Sequence, residues 1–173
     1  MPATARSGGS AILSDTAAGA LPREVLRLFD GERLPEKVGH TAMLVAVDDE
    51  GWPRVALLSV GEVLATTGGG LALLTSSSSR TTAALQQSGR AMLLTVIEGT
   101  VHKLMLRARA VGAPPHSSTG FVAFRAEVDA CESDHAPYAT VVHGIEFELT
   151  DEVPVLERWQ QQIGALRVVG GGA

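Results

Sequence analysis

The feature that most constrains the fold of this chain is a series of short apolar segments with little more than turns between them. The segments 41–47, 53–65 and 71–75 are rich in Val and Leu, as β-strands are. Clusters of turn-forming residues separate them, the clearest being Asp48-Asp49-Glu50-Gly51. Strands that follow one another directly do not build a doubly wound parallel sheet, in which strands alternate with helices. The pattern therefore predicts a mainly antiparallel β fold.

Periodicity predicts the remaining elements. Residues 101–112 alternate, with apolar side chains on one face and Lys103, Arg107 and Arg109 on the other, which is typical of a half-buried strand. The continuous apolar run 91–97 indicates a strand buried on both faces. Residues 53–65 read as one strand with a bulge at Gly61. We expect a last strand over 140–149 and helices over 21–30, 80–87, 119–131 and 154–166.

Length and composition place the chain in a broad class. Its 173 residues fit one domain, which we expect over 20–168, with a disordered N-terminal arm over 1–19 and a flexible tail over 169–173. The net charge of -5 gives no basic excess for nucleic acid or an anionic membrane, and no apolar run is long enough to cross a bilayer. A lone cysteine, Cys131, favours a reducing compartment, so we expect a cytoplasmic protein.

The stretch Thr75-Ser76-Ser77-Ser78-Ser79-Arg80 carries the strongest chemical signal. A strand ends, hydroxyl side chains follow and a helix begins with Ser79 or Ser78 as its N-cap. The start of a helix concentrates free N–H groups and positive potential, so it binds phosphate well. Arg80 opposes the helix dipole there unless an anion is bound. The alternative interpretation is an ordinary serine-rich loop with an N-cap.

Two further groups of cations are weaker signals. Arg54 opens an apolar strand, where period 2 puts it on one face with Ala56 and Leu58. Its planar guanidinium suits a phosphate, although a solvated arginine at the start of a strand is the better interpretation of this residue taken alone. The basic face of residues 101–112 could meet an anionic cofactor or simply acidic side chains.

Together these stretches resemble the pyridoxamine 5′-phosphate oxidase-like, FMN-binding split-barrel superfamily. The family strand R-x-V-L-L-K is matched by Arg54-Val55-Ala56-Leu57-Leu58-Ser59, and the family segment T-N-x-x-S-R-K by the seven residues from Thr75 to Thr81. Ser88-Gly89-Arg90 stands where the family has N-P-R. Lys103 falls near the position at which the oxidases of the family have a Gln that contacts the flavin. The similarity covers roughly residues 38–112, with a fainter match at Ile145-Glu146-Phe147.

The resemblance implies a six-stranded antiparallel split β-barrel of Greek-key topology, flanked by short helices. It also implies a homodimer with FMN in the groove between subunits, acting as a flavin-dependent oxidoreductase on a small-molecule substrate. The implied cofactor-binding residues are Arg54, Val55, Ala56, Leu57, Ser59, Leu74, Thr75, Ser79, Arg80, Thr81 and Lys103. Of these, Arg54, Arg80 and the hydroxyls of Thr75 and Ser79 would hold the phosphate. No catalytic side chain is indicated.

Departures from the family pattern keep alternatives open. Ser59 and Thr81 replace two phosphate-binding lysines, and each lost charge-assisted contact costs about 1.5–3 kcal/mol. The R-L-H-D-R motif that completes the oxidase active site is missing, so the chain is not a pyridoxamine phosphate oxidase proper. One alternative is the deazaflavin F420 on the same fold. The other is a non-catalytic flavin- or haem-binding dimeric module; haem ranks last, and no H-x-x-x-H spacing supports a metal site.

Overall fold

The computed structural model describes residues 12–16, 20–112, 120–135 and 138–171. Eight strands form one antiparallel sheet: β1 Ile12–Thr16, β2 Thr41–Val47, β3 Pro53–Ser59, β4 Val63–Ala65, β5 Leu71–Ser76, β6 Arg90–Ile97, β7 Thr100–Gly112 and β8 Phe121–His135. The helices are α1 Arg23–Leu28, a 3₁₀ turn Leu34–Lys37, α2 Arg80–Ser88 and α3 Glu152–Gly170. In this part of the chain no helix is long and apolar enough to span a membrane.

The sheet is a single open path in the order β3-β2-β6-β7-β8-β5-β4, with β1 paired to β8 beside this path. The mainly β, antiparallel class is confirmed, whereas the count of six strands is wrong. No ladder joins β3 to β4 in the described ranges, although these end strands are separated only by residues 60–62. A flat sheet would hold them roughly 29 Å apart, six strand spacings. Three residues cannot span that distance, so the sheet must curl enough to bring the end of β3 close to the start of β4.

The β2–β3 hairpin follows the sequence pattern closely. The turn cluster closes with Gly51 N donating to Asp48 O (3.0 Å) and Asp48 N donating to Trp52 O (3.0 Å). Gly51 has a φ of 84°, which costs glycine little. Register pairs Val45 with Val55, so one face of the hairpin is buried and the other looks outward.

The predicted strand 53–65 is two strands, and no bulge occurs at Gly61. Residues 60–62 turn the chain, with Glu62 N donating to Ser59 O (3.0 Å), and β4 then pairs with β5. A Cβ built on Gly61 would lie 2.3 Å from the Trp159 ring of α3. Glycine is needed at this turn because the α3 indole packs directly on its backbone.

The predicted helix over 119–131 is wrong, because residues 121–135 form β8. Phe124, Ala126 and Val128 are buried with period 2, but β8 has one extra residue, Asp129, opposite the step Met105/Leu106 of β7. After that bulge the buried positions become Cys131 and Ser133. The shift from even to odd positions interrupts the alternation that would have identified a strand. The predicted cap at Ser117 or Ser118 lies outside the described residues.

The predicted last strand over 140–149 is also wrong. Within the described residues, the segment makes only one strand-like pairing, an isolated bridge between Glu146 and His40, which precedes β2. Both edges of β2 are already paired, with β3 and with β6, so the segment does not add to the sheet beside β2.

The ends of the chain differ from the prediction as well. Within the predicted disordered arm, Ile12–Thr16 forms β1, while residues 1–11 and 17–19 lie outside the described residues. The last helix, predicted over 154–166, runs from Glu152 to Gly170 and therefore into the predicted tail. Arg125 fixes its end, with its Nε donating to Val169 O (3.0 Å).

The core lies inside the curled sheet. Strand β5 is buried from Leu71 to Thr75, and α3 packs against β4, β5 and β8. Strand β6 is buried at Leu93 and Thr95 but only half-buried at Met92, Leu94 and Val96. The prediction that β6 is buried on both faces is therefore wrong for the isolated chain.

We predict that Gly61→Ala lowers the free energy of unfolding by about 1–3 kcal/mol, because the added methyl group overpacks against the Trp159 ring. Urea unfolding of the variant and the parent protein measures the difference. Gly68→Ala is the matched control, since nothing lies within 4 Å of a Cβ built there and its φ is not positive. Equal losses for the two variants would contradict this description of the turn.

Candidate functional site

The carboxylate of Asp48 organises the start of β3. Its Oδ1 accepts hydrogen bonds from the N–H groups of Trp52 (2.8 Å) and Glu50 (3.1 Å). Its Oδ2 lies 2.6 Å from both Nε and a terminal nitrogen of Arg54. Burial by itself raises the pKa of Asp48, but these N–H donors and the Arg54 charge outweigh it, so the pKa lies below its ordinary value. Arg54 is therefore held in a defined direction by a partner that already neutralises it.

The start of α2 is fixed by hydroxyl side chains, as the serine-rich pattern predicted. Ser79 is the N-cap, and its Oγ accepts from Thr81 N (3.2 Å). Thr82 Oγ1 lies 2.8 Å from Thr75 Oγ1 and 2.6 Å from Ser76 O. This hydrogen bonding ties the helix to the end of β5. Thr75 and Thr81 are 1% and 2% exposed, so in this conformation they support the loop and do not reach a ligand.

One cavity brings Arg54 and Arg80 together. It has a volume of about 210 Å³ and lies between the β2–β3 turn and α2. Its lining consists of Asp48, Asp49, Glu50, Arg54, Arg80, Ala83, Ala84 and Gln87. Two guanidinium groups therefore face three carboxylates, and Arg80 has no ion pair with any described residue. The acidic turn, which the sequence analysis read only as a turn, is a wall of the site.

The other predicted cofactor residues of β3 are spread over its two faces. Val55 and Leu57 point outward and are each 55% exposed, whereas Ala56 faces the core. Ser59 lies at the far end of the strand, where its N–H and Oγ both donate to Glu62 Oε2 (2.8 and 2.9 Å). Leu74 is fully buried in the core.

Lys103 does not join the cavity. It lies on the outer face of β7, three strands along the sheet from β3 and therefore roughly 14 Å away. It forms ion pairs with Asp134 and Glu132 on β8. Hydrogen bonding to Asp134, assisted by the charge of Glu132, raises the pKa of Lys103. Its neighbours are acidic side chains, which is the second of the two interpretations of the basic face.

A row of buried polar side chains crosses the inner face at one end of the sheet. Thr95, His102 and Ser133 are direct cross-strand neighbours on β6, β7 and β8. His102 Nδ1 lies 3.0 Å from Ser133 Oγ, and its Nε2 lies 3.5 Å from Glu24 Oε1 of α1. His40 continues the row, with its Nε2 2.9 Å from Thr95 Oγ1. Burial lowers the pKa of both histidines, and Glu24 and Glu146 partly offset this effect.

Sequence reasoning missed this row because it considered only spacing between histidines along the chain. Its members come from four separate segments, and the pairing of His102 with Ser133 exists only if 121–135 is a strand. In the described ranges no three His, Cys, Asp or Glu side chains lie close enough to hold a metal ion.

Cys131 lies near this row as a small buried residue. It is 1% exposed and unpaired. Burial raises the pKa of its thiol, an effect that a hydrogen bond with Ser133 partly opposes. A thiol of this kind is a poor nucleophile.

Comparison with known proteins agrees with this architecture. No family model matches the chain. The uncharacterised protein YclD of Bacillus subtilis (strain 168) is 25% identical over 145 residues, which cover 83% of this chain and 93% of YclD. Among solved structures, a Lactobacillus delbrueckii protein provisionally named a pyridoxamine 5′-phosphate oxidase superposes with a TM-score of 0.53. It is 12% identical, with 68% of this chain and 97% of that chain covered.

The chain thus has the fold of the pyridoxamine 5′-phosphate oxidase-like split barrels, and the resemblance predicted from its motifs is confirmed at that level. HutZ, a haem storage protein of Vibrio cholerae, is 14% identical and covers 71% of this chain and 95% of its own length. Because its TM-score is only 0.46, this similarity gives no information about the ligand of this chain. The prediction that haem ranks last among the cofactors finds no support in these neighbours.

We predict that His102 and His40 of the buried row make the free energy of unfolding decrease as the pH is lowered. A histidine whose pKa is depressed by folding is neutral in the folded protein while the unfolded chain binds a proton. Stability is therefore fully present above the unfolded pKa, about 6.5, and is lost as the pH falls toward the folded value. Urea unfolding between about pH 8 and pH 5 measures this loss.

His102→Asn is the matched variant, because Asn can still hydrogen-bond Ser133 but does not titrate. Its unfolding free energy should depend less steeply on pH than that of the parent protein in the same window. Identical slopes for the two proteins would contradict the assignment.

Proposed function

We propose that this chain is a cytoplasmic, homodimeric FMN-binding oxidoreductase. The observation that carries the proposal is the convergence of Arg54 and Arg80 on one cavity at the start of α2, next to the end strand β3. Phosphate groups are bound in this way by guanidinium pairs and helix starts.

The residues present fit a phosphate in part. Arg80 is exposed and has no ion pair in the described ranges, so its charge is available. Arg54 is held by Asp48 and must be shared with a bound anion. Ser79 caps the helix whose first turn includes Arg80. We therefore expect FMN to bind less tightly than a site with two free guanidinium groups would allow.

The ring system of the flavin would lie along β3. This strand is an end strand of the sheet, so the backbone groups on its outer edge have no ladder partner in the described chain. Those groups can hydrogen-bond a heteroaromatic ring, with Val55 and Leu57 as apolar neighbours. Bound FMN supplies hydride chemistry, while the chain binds, orients and shields it.

The geometry favours FMN over the two alternative cofactors. The acidic tail of F420 needs free cations, whereas Lys103 is already paired with Asp134 and Glu132. Another cavity, of about 570 Å³, contains a histidine that could suit haem, His40. The lysine in its lining, Lys37, is paired with Asp30, so this cavity offers haem propionates no free positive charge in the described ranges, whereas Arg80 is available to the FMN phosphate.

The outer face of the sheet supports the homodimer. The register aligns apolar side chains in two rows across the strands. One row is Leu57, Met43 and Leu94, and the other is Val55, Val45, Met92 and Met105. These side chains lie on the face away from the core, and Val47, Val55 and Leu57 are each more than half exposed. A continuous apolar face of this kind is typical of a subunit interface.

We predict that Asp48→Asn tightens FMN binding and that Arg80→Gln weakens it. Asn keeps the acceptor for Trp52 and Glu50 but removes the charge that occupies Arg54. Removal of a charged hydrogen bond costs about 1.5–3 kcal/mol, so we expect a change of about tenfold or more in opposite directions for the two variants. Quenching of flavin fluorescence measures the dissociation constants.

Arg23→Gln removes an exposed arginine that does not line the cavity and serves as the charge control. Equal affinity in the parent protein, Arg80→Gln and Asp48→Asn would contradict the site. If FMN binds, oxidation of NADPH or NADH by the loaded protein separates an enzyme from a non-catalytic binding module.

We predict that Val45→Lys converts the dimer into a monomer, because it places a charge at the centre of the apolar outer face. Analytical ultracentrifugation measures the mass. Val153→Lys, at an exposed position of α3, is the control and should leave the dimer intact. A monomeric parent protein, or a Val45→Lys variant that remains dimeric, would contradict the proposed dimer.

A further inference from the structure

A further cavity lies at the end of β3 opposite to Arg54. Its volume is about 330 Å³, within the range of small-molecule sites. Its floor is β3 around Leu57 and Ser59, and its walls are the segment around Phe147 and the first turns of α3. The residues that give it an apolar surface are Leu57, Ile145, Phe147, Leu149, Val155 and Trp159.

Two aromatic rings shape this cavity rigidly. Trp159 is 2% exposed and packs edge to face on Phe147, with ring centroids 6.2 Å apart. The same indole is wedged against Gly61, so it cannot swing away. Such a wall suits a flat or compact apolar group.

Of the charged side chains that line the cavity, two are carboxylates with hydrogen-bond partners, and the third, Arg158, has no partner in the described ranges. Glu62 accepts the N–H and Oγ of Ser59, and Glu146 lies 3.0 Å from His143 Nδ1. Arg158 lines the rim and makes no ion pair with a described residue. The buried hydroxyl of Thr41, which also lines the cavity, has no hydrogen-bond partner in the described ranges.

We propose that this cavity binds a small organic acid with an apolar ring or chain. The apolar part packs against Trp159 and Phe147, and the carboxylate pairs with Arg158. A guanidinium binds a carboxylate through two parallel hydrogen bonds, which distinguishes an acid from its neutral amide.

A role as substrate pocket rests on the proposed function, whereas binding does not. Arg54 and Ser59 are five residues apart on β3, about 17 Å of extended chain. A flavin anchored at Arg54 and lying along β3 would direct its ring system toward this cavity. The organic acid would then be the class of molecule that is oxidised or reduced.

The test uses cofactor-free protein and the fluorescence of Trp159. Trp52 and Trp159 are the two tryptophans of the chain, so Trp52→Phe leaves the cavity residue as the reporter. Titration with 3-phenylpropanoate should change the emission saturably. The neutral 3-phenylpropanamide should bind about fivefold more weakly or worse, the loss expected for an ion pair at a rim.

In the same background Arg158→Gln should remove the preference for the acid, while Arg23→Gln should keep it. Absence of a saturable change, equal affinity for acid and amide, or an unchanged preference in Arg158→Gln would each overturn the inference. Because no flavin is present in this experiment, its result does not depend on whether FMN binds. A negative result with the organic acid likewise does not affect the interpretation of the FMN titration.

Discussion

The ion pair between Asp48 and Arg54 is the interaction on which the candidate site depends. One carboxylate closes the β2–β3 turn through two backbone N–H groups and aims the guanidinium at the cavity. The same carboxylate also neutralises Arg54. The arginine is therefore well oriented, but it binds an added anion less tightly than a free guanidinium would. Two lysines of the family pattern are absent, at Ser59 and Thr81, and this pair makes the charge deficit larger.

The register of the hairpin then assigns the two faces of the sheet to different tasks. Ala56 and Leu58 face inward and contribute to the core, while Val55 and Leu57 extend the apolar outer face. Because successive side chains alternate, a slip of one residue would reverse both faces at once. Strand β3 thereby connects the cavity between Arg54 and Arg80, the proposed dimer face and the cavity beside Trp159.

How far the sequence predicted this molecule depended on whether the relevant signals were local. The hairpin 41–59, the helix capped by Ser79 and the alternation of 101–112 were correctly predicted, because turn residues, an N-cap and period 2 act over a few residues. Strand β8 was missed because the bulge at Asp129 shifts its buried positions from even to odd. The segment 140–149 has the composition of a strand, but both edges of β2 are already paired, with β3 and with β6.

Of the candidate site, the sequence predicted the residue types better than their surroundings. Arg54 and Arg80 do meet at one cavity, but the pairing of Lys103 with Asp134 and the burial of Thr75 follow from long-range contacts. The row joining His40, Thr95, His102 and Ser133 likewise depends on sheet register, which no local motif encodes.

The most direct test of the central claim is a crystal structure of the protein soaked with FMN. The account predicts density for the phosphate between Arg54 and Arg80 at the start of α2, with the ring system along the outer edge of β3. Phosphate density elsewhere, or the two guanidinium groups turned away from an empty cavity in the soaked crystal, would contradict it.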